Sequence, residues 1–97
     1  MSTTTYLLLG VDIMKQAIID MGKKYNVTAF EYNDNIDERS NLRSLIHLLF
    51  AMNRDTEYGD YSFGTIHGKL SEEQIEDIQK IDMGIMIHKD LVNHVMK

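Results

Sequence analysis

The side chains best suited to chemistry fall into four short clusters: Gly10-Val11-Asp12, Tyr32-Asn33-Asp34, His67-Gly68-Lys69 and His88-Lys89-Asp90. Two of them set a histidine and a lysine within three residues of each other. Lys69 and Lys89 offer positive charge to a phosphate or carboxylate. His67 and His88 would be the general bases, because an imidazole exchanges its proton near neutral pH, with Asp12, Asp34 or Asp90 to orient one of them. The candidate ligand-binding set is therefore Asp12, Asp34, His67, Lys69, His88, Lys89 and Asp90, and the ligand a nucleotide-like or other small anionic metabolite. A plainer explanation competes with it, since polar residues belong wherever a strand ends in solvent.

No set of residues reads as catalytic machinery. Ser62 and Ser71 lack the glycine-flanked turn of a nucleophilic serine, and Ser71 is better explained as a helix cap. The Gly68-Lys69 pair is not part of a phosphate-binding GxxxxGK[ST] loop. Gly10-Val11-Asp12-Ile13-Met14-Lys15 supplies one of the three glycines of a dinucleotide-binding turn, and Asp12 would repel a pyrophosphate, so no cofactor is expected. The histidines at 47, 67, 88 and 94 share no metal-binding spacing and the chain has no Cys, so no metal is expected either.

These clusters need elements to hold them. Thr3 to Leu9 is β-branched, then aromatic, then apolar up to Gly10, which reads as a buried strand. Asp12 would cap a helix to about Tyr25 carrying Met14, Ala17, Ile18 and Met21, which Asn26 ends. Residues 27–32 are rich in strand formers and Asn33-Asp34-Asn35 is a turn cluster. A helix capped by Asn35 or Asp34, with Asp37 and Glu38 in its first turn, carries Leu42, Leu45, Ile46, Leu49 and Phe50 to about Asn53. Tyr61 to Ile66 reads as a third strand, with Gly64 a weak point. Ser71 with Gln74 three residues on is a capping box, opening a helix with Ile75, Ile78 and Ile81.

The expected fold is thus α/β: a small single domain, residues 1–97, built on a roughly four-stranded, mainly parallel sheet with helices on its faces, Met83 to Ile87 being the fourth strand and Leu91 to Met96 a last helix. All four clusters would then lie at the carboxyl ends of strands, where ligands bind in such sheets. An antiparallel α+β arrangement is a further alternative, and the main one is an all-α three-helix protein, with residues 4–25 and 72–97 as long helices. Gly10, Gly22 and Gly84 inside helices, at about 1 kcal/mol each against Ala, weigh against it.

Composition narrows the function. With 43% hydrophobic and 26% charged residues the chain is of ordinary globular type. Ten Lys and Arg against 15 Asp and Glu give a net charge of -5, which argues against nucleic acid as a partner. No run is long enough to span a membrane, and Met1-Ser2-Thr3-Thr4-Thr5 lacks the basic start of a secretory signal, so a cytoplasmic protein is expected. The leading expectation is a small non-catalytic binding or regulatory module that acts through a protein partner or self-association. Binding or turnover of an anionic metabolite stands second, and a helical inhibitor with an acidic surface third.

Overall fold

Leu42, Leu45, Ile46, Leu49 and Phe50 recur at helical spacing, and in the computed structural model, which describes residues 3–82 and 88–89, all five are buried on one face of a helix. That helix, α2 (Glu38–Met52), starts at Asp37, whose carboxylate accepts the Ser40 backbone N–H at 2.7 Å. The cap is thus two residues later than Asn35, because Asn33 and Asn41 occupy the turn before it. The buried Asn41 amide donates to the Asn33 and Asp37 carbonyls at 3.0 and 2.9 Å and accepts the Asn33 N–H at 2.8 Å.

The element before α2 corrects the expectation most. Residues 3–24 form one helix, α1 (Thr3–Lys24), with no strand over Thr3–Leu9. An apolar run is compatible with either state, and nothing breaks the helical pattern that continues through Met14, Ile18 and Met21. Asp12 therefore lies inside a helix rather than at its cap. Asn26 ends α1 as its position suggested. It adopts φ +57°, the Val27 N–H returns to the Gly22 carbonyl at 2.8 Å and the Asn26 N–H to the Lys23 carbonyl at 3.1 Å. These are the paired bonds of a Schellman closure, and Val27 is buried against the helix it terminates.

Residues 27–32 form no strand. The Phe30 N–H bonds to the Val27 carbonyl, so their backbone is spent on turns, while Phe30 and Tyr32 pack against the core. The single strand expected over 61–66 is instead two strands. β1 (Gly59–Phe63) and β2 (Ile66–Leu70) are antiparallel, with Phe63 facing Ile66 across Gly64-Thr65. Gly64 has φ +58°, the conformation that a two-residue hairpin turn asks of a glycine. A connection this short admits only antiparallel neighbours, so the parallel sheet with its crossover helices does not form.

Ser71 caps α3 (Glu72–Ile81) with both bonds of the capping box: its hydroxyl accepts the Gln74 N–H at 3.1 Å and its own N–H donates to Gln74 Oε1 at 3.0 Å. The helix stops at Asp82, which is extended (φ -143°, ψ 99°), so 72–97 is not one helix and the all-α architecture fails as well. Met83 to Ile87 and Leu91 to Met96 lie outside the described residues. Beyond α3, β3 (His88–Lys89) pairs antiparallel with the other side of β1, giving the order β2-β1-β3.

Ile18 and Met21 of α1, the α2 stripe, Val27, Leu70 and Ile78 make the core. Polar ties hold its rim. Lys24 meets Asp77 at 2.8 Å and Glu73 at 3.2 Å, and the Tyr25 hydroxyl also donates to Asp77, so the end of α1 is fixed to α3. Arg39 grips Asp82 at 2.6 and 3.3 Å and so fixes the start of α2 to the end of α3.

Candidate functional site

Gly68 decides how α2 and β2 meet. A Cβ on it would lie 2.2 Å from Phe50 Cγ, so the Phe50 ring rests directly on the strand backbone. The close approach leaves a groove of about 370 Å³ along the same contact, lined by His47, Phe50, Ala51 and Arg54 of α2 and its end, and by Asp60, Ile66, His67, Gly68 and Lys69 of the hairpin. His47, Phe50 and Ala51 stand at i, i+3 and i+4 on one face of α2, and Arg54 follows just past its end.

The strand side follows from register. Gly59, Tyr61 and Phe63 oppose Leu70, Gly68 and Ile66, and these residues turn to the core. The alternate positions, Asp60 with Lys69 and Ser62 with His67, belong to the other face, and because β2 is an edge strand the groove along it is bordered by residues of both faces of the hairpin. Lys69 Nζ is 3.9 Å from Asp60 Oδ1, a loose pair with both side chains half-buried. Its carbonyl accepts the amide of the buried Asn53 at 2.8 Å, and the same amide donates to Gln74 Oε1 at 2.8 Å. One buried amide thus joins the end of α2, the end of β2 and the start of α3, and fixes Lys69 in place relative to Arg54.

The candidate set divides in this structure. His67 and Lys69 share the groove. His88 and Lys89 lie on β3, where His88 is in register with Ser62 and Lys89 with Tyr61, so His67, Ser62 and His88 occupy one transverse row of the sheet. Asp34 is elsewhere, on the loop before α2, with its carboxylate 2.8 Å from Lys15 Nζ. Asp12 belongs to α1, and Asp90 lies outside the described residues. The four clusters do not gather at one sheet edge, because the parallel sheet that would have aligned them is not there. Arg54 and the groove position of His47 were not among the expected site residues. Their seven-residue spacing around Phe50 was the available signal.

A second hollow, of about 450 Å³, lies over the end of α1 between Gly22, Val27, Phe30 and Tyr32. It is mainly apolar with Lys23 on its lining, and offers few groups to orient a polar ligand. Among the described residues no group of three His, Asp or Glu is placed to hold a metal ion. No described helix is long and apolar enough to cross a membrane.

The electrostatic anchors lie away from the groove. Partial burial pushes the Asp77 carboxyl up, but hydrogen bonds from Lys24 and Tyr25 outweigh it and hold it below the ordinary value. Burial, and then the bond to Asp77, pushes the Tyr25 hydroxyl up to about 12. Both groups serve the joint between α1 and α3. In comparisons with family models, characterised proteins and solved structures, the chain matches none.

Proposed function

We propose that this chain is a small non-catalytic binding module that acts by protein association, its docking element being the N-terminal half of α1 and its partner a second copy. One observation carries the reading. The apolar run Tyr6-Leu7-Leu8-Leu9-Gly10-Val11 lies on α1, and among residues 13–24 of that helix, whose side chains are described, Met14, Ile18 and Met21 pack on the core. Ile13, at the junction between the halves, is 62% exposed. Consecutive helical residues step by about 100°, so three leucines in a row cover more than one face, and such a stretch is characteristic of a helix surrounded by other protein.

Sedimentation equilibrium over a range of concentrations tests this. A particle of twice the 11.2 kDa chain mass is expected, returning to 11.2 kDa in Leu8→Glu while the thermal transition of the core persists. A wild-type chain that stays at 11.2 kDa at every concentration refutes self-association.

A further inference from the structure

The groove between α2 and β2 points to a second activity, independent of association through α1: we infer that it binds a small organic monophosphate, with Arg54 and Lys69 on the phosphate and the Phe50–Ile66–Gly68 floor under the organic part. Arg54 is the first reason. Arg39 is paired with Asp82 and Arg43 donates to Thr65 Oγ1, whereas Arg54 has no acceptor among the described residues, although Asp55, Glu57 and Asp60 follow closely in sequence. A guanidinium presents a rigid fork of donors suited to a phosphate, and an ammonium adds a point charge.

The second reason is Lys69. Its pair with Asp60 is long at 3.9 Å, while the Asn53 bond to its carbonyl fixes its backbone. The ammonium can therefore turn to an incoming anion without disturbing the strand. Volume supplies the third reason. About 370 Å³ lies at the lower end of small-molecule sites, sufficient for a single ring or sugar with one phosphate but not for a dinucleotide. Asp60 is the opposing group, since it borders the same groove and its negative charge disfavours an anion there. It keeps the affinity modest and supplies a variant whose effect must have the opposite sign.

Backbone amide NMR on the full chain, titrated with phenyl phosphate to about 10 mM, tests the assignment, with inorganic phosphate and benzoate as separate arms. Shifts should be centred on residues 47–54 and 66–69, with phenyl phosphate binding about tenfold more tightly than either control. Arg54→Ala should weaken phenyl phosphate about tenfold and Asp60→Asn should strengthen it several-fold; both residues are at the rim of the fold, and an unchanged spectrum elsewhere certifies the variants. Equal binding of benzoate overturns the phosphate assignment, and equal binding of inorganic phosphate overturns the role of the floor. Absent shifts, shifts scattered over surface lysines, or unaltered affinity in Arg54→Ala overturn the site.

Discussion

Gly68→Ala should be the most damaging single-carbon addition in the described structure, for a reason that can be worked from the coordinates. The new Cβ would meet Phe50 Cγ at 2.2 Å and Phe50 Cβ and Cδ1 at 2.4 Å. These atoms are the root of the phenylalanine side chain, so turning the ring leaves the Cβ contact unrelieved. Ordinary contact begins near 3.4 Å, so α2 and β2 would have to separate by about 1 Å. That opening loosens Phe50 and its buried neighbours Leu49 and Leu70 together. Overpacking of this kind costs about 1–3 kcal/mol, and a clash that cannot be relieved by one rotamer belongs at the upper end. For a domain of this size 3 kcal/mol corresponds to a fall in Tm of roughly 10–20 °C, measured by circular dichroism and checked by urea unfolding. Gly64→Ala is the control. Nothing lies within 4 Å of its Cβ, but its φ of +58° is unfavourable for alanine, so backbone strain alone should cost about 1 kcal/mol. If Gly68→Ala melts no lower than Gly64→Ala, the helix does not rest on the strand as described.

Ser71→Ala removes the capping box and should lower stability by about 1 kcal/mol in urea unfolding, with Ser71→Asp recovering most of it. Asn41→Ala strands the Asn33 N–H and leaves the Asn33 and Asp37 carbonyls only their backbone donors, the Ile36 and Asn41 N–H groups, and should cost about 1–3 kcal/mol by the same assay. Asp77 has its carboxyl held below the ordinary value in the folded chain, so its contribution is fully present above the unfolded pKa and disappears as pH falls through the folded one. Stability measured downward from neutral pH should therefore fall more steeply below about pH 4 in the wild type than in Asp77→Asn; parallel curves would show that the joint with Lys24 and Tyr25 carries no such coupling.

The sequence was most legible where one local pattern had one physical outcome. Ser71 with Gln74 can satisfy each other's backbone only at a helix start, and the stripe from Leu42 to Phe50 has one period. Thr3–Leu9 and residues 27–32 were misread because strand-forming residues specify a strand only if a neighbour exists to pair with, and pairing is not local. Gly64 was read as a flaw in a strand when it was the turn itself, and that one reading concealed the hairpin and with it the antiparallel sheet. The site followed the same division. His67 and Lys69 are visible as a cluster, but Arg54 and His47 come to line one groove with them only through the packing of Phe50 onto Gly68. A contact made by the absence of a side chain leaves little trace in residue types.

The position of β1 between β2 and β3 has a consequence for how the sheet is assembled in time. Successive amides of a strand turn to opposite neighbours, so β1 carries two interleaved sets of reporters. One set answers to a partner joined through Gly64-Thr65, the other to residues 88–89, separated from β1 by β2 and the whole of α3. Closing the first loop orders two residues, and closing the second waits on α3 having docked. At Tyr61 and Ser62, where β1 has a neighbour on both sides, native-state hydrogen exchange would therefore separate a local pairing from a long-range one on the same strand.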